Sequence, residues 1–207
     1  MHRDFPSSGL YGITADSPSS PRALAEAVAA ALRGGAKVIQ YRAKSAQDRL
    51  AEAKLLLVEC RAFGVPLIIN DDVELALEIG AEGVHLGKDD GSALEARARL
   101  GADAIIGVSC YDSVQQALAA QEQGASYVAF GRFFPSASKP NAPCAQLSTL
   151  AEAKRRVNLP IVAIGGITPE NGRVLVEAGA DVLAVIDGVF GQGCPERAAL
   201  AFKPLFR

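Results

Sequence analysis

A glycine–alanine pair recurs at five points along the chain: Gly35-Ala36, Gly80-Ala81, Gly101-Ala102, Gly124-Ala125 and Gly179-Ala180. Each pair follows an amphipathic stretch and precedes a short apolar run. A glycine just past a helix accepts the left-handed conformation that turns the chain back, so each pair reads as the joint between a helix and the next strand. The apolar runs cover 10–14, 37–41, 66–70, 83–86, 104–108, 127–130, 160–164 and 182–186. Most are continuously apolar and rich in β-branched residues, as in parallel strands covered on both faces. Between the first two runs, Leu24, Ala27, Val28, Ala31 and Leu32 fall on one helix face, opened by Ser20-Pro21 and closed by Gly34-Gly35. Leu50, Ala53, Leu57 and Cys60 make a second such face. Eight βα units with a final helix over 195–206 predict an α/β protein of (β/α)8 TIM-barrel type, one domain spanning 1–207. An open doubly wound sheet would carry fewer strands.

Composition narrows the function. With 49% hydrophobic and 21% charged residues, the 207-residue chain is neither disordered nor a coiled coil. No apolar run approaches the roughly 18 residues needed to span a bilayer. The segment Met1-His2-Arg3-Asp4-Phe5-Pro6 lacks the apolar core of a signal peptide, so a cytoplasmic location is expected. Lys and Arg number 21 against 23 Asp and Glu, a formal charge of −2. That balance argues against a general nucleic-acid partner. It leaves room for a small phosphorylated ligand, which needs only a few local cations. The cysteines (Cys60, Cys110, Cys144, Cys194) show no CxxC pair, which argues against zinc and thioredoxin-like chemistry. They are expected to be reduced and mostly buried.

The polar residues collect where a barrel places its chemistry, at the C-terminal ends of strands and just beyond. Gln40, Arg42 and Lys44 follow the second run; Asn70, Asp71 and Asp72 follow the third. His85, Lys88, Asp89 and Asp90 mark the fourth, and Ser109 the fifth. A long connection, 131–146, follows the sixth and holds Arg132, Ser136, Ser138 and Lys139. Gly165-Gly166 follows the seventh run and Asp187-Gly188 the eighth. Gln40, Arg42 and Lys44 alternate at period two, which a buried sheet rarely tolerates without a ligand.

Residue types suggest two anion sites. Asp71 and Asp90, on neighbouring strand ends, suit Mg²⁺, which binds through one or two carboxylates plus substrate phosphate oxygens. Arg42, Lys44 and Lys139 would surround an anionic leaving group. The Gly165-Gly166 pair and a helix expected to start at Thr168-Pro169 look like a barrel phosphate site, where backbone N–H groups face the anion. Asp72 and Asp89 read as helix caps, and His85 equally as a structural or a catalytic residue. The 131–146 connection is expected to order over bound substrates and bring Lys139 to them.

Seven segments together resemble the thiamine-phosphate synthase (thiamine-phosphate pyrophosphorylase) family: LYGITADS, VIQYRAKS, LIINDDVELALEIGAEGVHLGKDD, IIGVSC, SYVAFGRFFPSASKP, VAIGGITPEN and GADVLAVIDGVF. The resemblance runs over 10–190, nearly the whole chain. It implies a TIM barrel that joins a hydroxymethylpyrimidine diphosphate to a thiazole phosphate by a dissociative route, with Mg²⁺ bound and pyrophosphate released. By the same resemblance, Gln40, Tyr41, Arg42, Ala43, Lys44, Asn70, Ser109 and Lys139 would bind the pyrimidine diphosphate, with Arg42, Lys44, Ser109 and Lys139 carrying the catalysis. Asp71 and Asp90 would bind the metal. Ser136, Ala137, Ser138, Gly166, Ile186 and Asp187 would hold the thiazole phosphate. The sequence departs from the family pattern at Ser136 and Ser138, where threonines are frequent, and at Asp187, where a small hydroxyl residue is common. Two other activities fit less well: a thiazole tautomerase-like relative, which tends to lose the carboxylates kept here, and a non-catalytic thiamine-phosphate sensor, which would have little use for a metal site.

Overall fold

The structure is a computed structural model that describes residues 5–15, 20–43, 48–135 and 144–206. Eight strands close into a parallel barrel in sequence order, the last pairing with the first. They are β1 (Gly9–Ile13), β2 (Val38–Tyr41), β3 (Leu67–Asn70), β4 (Gly83–Leu86), β5 (Ile105–Tyr111), β6 (Tyr127–Gly131), β7 (Ile161–Ile164) and β8 (Val182–Val185). The helices outside are α1 (Pro21–Arg33), α2 (Arg49–Ala62), α3 (Val73–Ile79), α4 (Ala93–Leu100), α5 (Val114–Glu122), α6 (Leu147–Arg156), α7 (Arg173–Glu177), α8 (Asp187–Phe190) and α9 (Pro195–Phe202). A 3-10 turn, Lys203–Phe206, extends α9. The expected barrel and its eight strand positions are therefore observed.

The local signals act as expected. Ser20 caps α1, its side chain accepting from the Ala23 N–H, and Pro21 occupies the first turn. Gly80, at φ 68°, ends α3 in the left-handed conformation. Period-two alternation splits each strand between two cores. Leu10, Ile39 and Tyr41 face outward against the helices, whereas Tyr11, Ile13 and Val38 face into the barrel. Phe5 closes the interior, its ring stacked on Tyr127 at 3.9 Å between centroids.

Two expectations need correcting. The chain does not become helical at Thr168-Pro169; helix α7 begins at Arg173. Side chains hold the intervening turn: Thr168 N–H donates to Asn171 Oδ1 (2.8 Å) and Asn171 Nδ2 to the Gly166 carbonyl (3.0 Å). An Asn that satisfies nearby backbone groups competes with a helix for them. The cysteines are all free, but only Cys60 and Cys110 are buried; Cys144 and Cys194 lie in exposed connections. Burial pushes the Cys110 thiol up to about 12. No described helix is long and apolar enough to cross a membrane.

Candidate active site

A cavity of about 610 Å³ opens at the C-terminal end of the barrel. Its two sides are built differently. Along β2 to β5 the lining is side chains: Gln40, Arg42, Asn70, Asp71, Asp90 and Ser109 all reach it. Along β6 to β8 the lining combines glycines (Gly131, Gly165, Gly166, Gly188) with apolar side chains such as Ile164, Ile167 and Ile186, with Arg132 and Asp187 among them.

On the side-chain wall, local structure fixes each group. A reciprocal bond ties β1 to β2 where Arg42 leaves the sheet: Arg42 N–H donates to Thr14 Oγ1 (2.9 Å), which donates to the Arg42 carbonyl (3.0 Å). Asp71 sits at φ 63°, a conformation that disfavours a residue with a Cβ. Its N–H donates to the His85 carbonyl of the neighbouring strand (2.8 Å), and Asn70 Nδ2 donates to its carboxylate (2.5 Å). Strained non-glycine residues collect at functional sites. Asp90 receives the Gly87 N–H on Oδ2 (2.7 Å), which tethers its carboxylate to the turn after β4. Asp72, as expected, is a cap: it accepts from the Leu75 N–H and pairs with Arg49 at 3.2 Å. Asp89 is not, because Ser92 caps α4 and Asp89 lines the cavity. Strand β5 runs three residues beyond the apolar stretch read from sequence. Ser109 and Tyr111, two residues apart on the strand, both line the cavity, and the pairing with β6 is irregular between them.

The glycine wall is set by close packing. Gly165 and Gly166 have φ of 107° and 63°. A Cβ on Gly165 would lie 2.2 Å from Arg132 Cβ, and one on Gly166 would lie 2.3 Å from the Pro135 carbonyl oxygen. The pair thus lets the chain after β6 lie directly on the end of β7 while leaving backbone along the cavity.

A line of side chains crosses the cavity floor, and two of its members, Tyr11 and Tyr127, were missed by sequence reasoning. Gln40 Nε2 donates to Tyr11 OH (2.7 Å), which bonds Tyr127 OH (2.8 Å). Tyr127 OH bonds His85 Nδ1 (2.9 Å), and His85 Nε2 bonds Ser109 Oγ (2.9 Å). Gln40, Tyr11 and Tyr127 are buried, and burial raises both phenol pKa values above their ordinary level. The available signal was the position of Tyr11 and Tyr127 within their strands, since a tyrosine pointing into a small barrel must find a partner for its hydroxyl.

Of the residues expected in the site, Gln40, Arg42, Asn70, Asp71, Asp90, Ser109, Gly166, Ile186 and Asp187 share this one cavity. Tyr41 does not: its side chain faces α2, where its hydroxyl donates to Glu52 Oε2 (2.6 Å). Ala43 lines a separate shallow depression, together with Arg49 and Arg99, beside the outer edge of Asp71 and Asp90. Lys44, Ser136, Ala137, Ser138 and Lys139 lie outside the described residues, as does the middle of the 131–146 connection.

A family model described as thiamine monophosphate synthase matches residues 10–189. The chain belongs to that family. It is 52% identical over 208 residues to the thiamine-phosphate synthase of Methylococcus capsulatus, covering 100% of this chain and 92% of that protein. It is 55% identical over 201 residues to the thiamine-phosphate synthase of Nitrosococcus oceani, covering 96% and 92%. Among solved structures, the thiamine phosphate pyrophosphorylase from Pyrococcus furiosus superposes with a TM-score of 0.84 at 34% identity, covering 97% of this chain and 96% of that one. Thiamine-phosphate synthases are transferases, and the expected family, barrel and enzyme class all hold for this chain.

Proposed function

We propose that the chain, acting as one catalytic domain over 1–207, joins 4-amino-2-methyl-5-(diphosphooxymethyl)pyrimidine to a thiazole phosphate, giving thiamine phosphate and pyrophosphate. The observation that carries this reading is the two-sided cavity: Asp71, Asp90 and Arg42 on one wall, glycine backbone on the other. One wall suits a diphosphate with a divalent cation, the other a phosphate bound through N–H groups. The curated relatives' names describe the same condensation product.

Among the described residues no cluster of three or more His, Cys, Asp or Glu forms a protein-built metal cage. Asp71 and Asp90 nevertheless fit Mg²⁺, which takes one or two carboxylates and completes its shell with substrate phosphates and water. When bound, the ion would neutralise negative charge on the departing pyrophosphate. The protein's own residues do the rest. Arg42, with Lys44 and Lys139 by family resemblance, receives the leaving group's growing charge. The C–O bond to the diphosphate breaks first, and the electron-rich aminopyrimidine carries the positive charge left on its exocyclic methylene. Gln40 and Ser109 lie on the floor where such a ring would rest. The glycine wall holds the thiazole so that its ring nitrogen lone pair forms the new C–N bond. No general base is required. Both ring nitrogens of His85 are engaged on the floor, in keeping with that chemistry.

The test is direct: purified protein, both substrates and Mg²⁺, with pyrophosphate and thiamine phosphate measured together. Stoichiometric appearance of both is expected. Turnover of the thiazole alone, or binding with no pyrophosphate released, would overturn the reading.

A further inference from the structure

The floor network has a direction that follows from donor counting. An amide nitrogen only donates, so the Gln40 Nε2 bond makes Tyr11 oxygen an acceptor. The Tyr11 hydroxyl proton must then go to its other partner, Tyr127 OH, because a buried donor left without an acceptor costs the full desolvation of that group. Tyr127, having accepted there, spends its own proton on its remaining partner, His85 Nδ1. An imidazole nitrogen that accepts carries no proton, so the ring's hydrogen sits on Nε2, facing Ser109 Oγ. Ser109 accepts from Nε2 and keeps its own O–H for the cavity it lines.

We propose that His85 and Tyr127 are positioning residues that fix the polarity of Ser109: the chain from Gln40 through Tyr11, Tyr127 and His85 holds Ser109 Oγ–H as a hydrogen-bond donor aimed at a ring nitrogen of the pyrimidine substrate. The identity of that ligand rests on the synthase reading above; the direction of the chain does not. A ring nitrogen accepts through its lone pair, so a fixed donor at the floor selects the ring edge it meets and sets how the methylene faces the diphosphate wall. A hydroxyl free to rotate would accept from the exocyclic amine equally well and lose that selection. The network serves as a fixed dipole, not a proton path: Phe5 stacks on Tyr127 behind it and seals it from below. Burial keeps both phenols protonated.

The experiment begins with the unliganded wild-type protein. The chain holds two histidines, His2 and His85, so nitrogen-15 spectra of a histidine-labelled sample are assigned by a single His2→Gln control. At neutral pH, His85 should appear as the neutral Nε2–H tautomer with Nδ1 bare. The Nδ1–H tautomer or an imidazolium overturns the proposal. Kinetics supply the second arm. Tyr127→Phe keeps the ring that packs on Phe5 and removes the proton that fixes the tautomer. It should mix the two tautomers and raise KM for the pyrimidine diphosphate three- to tenfold, leaving KM for thiazole phosphate unchanged. In a Ser109→Ala background the same Tyr127 change should have no further kinetic effect. Full additivity of the two changes overturns the proposal, since Tyr127 would then act by some route other than Ser109. Because the tautomer is read without substrate, an Nε2–H His85 in a protein that makes no thiamine phosphate would overturn the synthase reading alone.

Discussion

On the proposed function, the two walls of the cavity would solve the same problem, holding an anion, by different means. The β2–β5 wall uses charged and polar side chains, each fixed by a local bond or an unusual backbone angle. The β6–β8 wall uses glycines at positive φ packed against the preceding loop. The difference matches the ligands assigned to each. A departing diphosphate changes its charge during the reaction, so it rewards side chains and a cation aimed where charge develops. A phosphate that is merely held needs only steady N–H donors, which a backbone supplies whatever the side chains are. The first wall should therefore be intolerant of side-chain change and the second intolerant of backbone change.

The largest effects should come from the carboxylates of the first wall. Asp71→Gly and Asp90→Asn should each lower turnover about 100-fold or more, equal to about 2.7 kcal/mol of transition-state stabilisation. Neither should unfold the protein. Glycine tolerates the φ of 63° that aspartate is forced into, and asparagine keeps an oxygen for the Gly87 N–H. Steady-state pyrophosphate release and thermal melts on the same samples check both halves. Near-normal turnover at limiting Mg²⁺ would remove these carboxylates from the metal site.

A middle-sized effect should come from the second wall. Gly166→Ala places a Cβ 2.3 Å from the Pro135 carbonyl at φ 63°. Left-handed strain alone costs roughly 1–2 kcal/mol, which lowers Tm by about 2–8 °C in a protein of this size; the clash adds to that. KM for thiazole phosphate should rise while KM for the pyrimidine diphosphate holds. A lower Tm with both constants unchanged would make the glycine a packing residue only.

How much of this was legible in the sequence also divides by wall. The barrel was legible because parallel strands buried on both faces leave continuous apolar runs, and because glycines such as Gly80 mark helix ends. Asp71, Asp90 and Arg42 were legible because polar residues directly after such runs have few structural uses. The two tyrosines of the floor were not, since Tyr11 and Tyr127 look like any core aromatic until their hydroxyls are counted. The end of β5 was not either: Ser109 interrupts the apolar run, so the strand appeared to stop short of it. Thr168-Pro169 looked like a helix start, and only the Asn171 side chain, folded back on Thr168 and Gly166, shows why it is a turn. Tyr41 entered the expected site because it lies between Gln40 and Arg42, but alternation sends it to the opposite face.

The smallest effect is expected at Asp187, where the family pattern and the sequence disagree. A carboxylate beside a phosphate should weaken binding, yet the residue stands on the wall proposed to recognise its ligand through backbone. The structure places Asp187 in the first turn of α8, exposed to solvent, with its carbonyl accepting from Gly191 N–H and Gln192 Nε2. Exposure decides the size of the repulsion. At 4 Å two unit charges interact by about 4 kcal/mol at an effective dielectric near 20 but only about 1 kcal/mol in water, and salt screens the rest. An exposed carboxylate can also turn away at little cost. Asp187→Ser should therefore change KM for thiazole phosphate threefold or less, under roughly 0.7 kcal/mol, and the change should shrink further in 0.5 M salt. A tenfold or greater fall in that constant would mean that the carboxylate faces the phosphate, and that the second wall recognises its ligand through side chains as the first does.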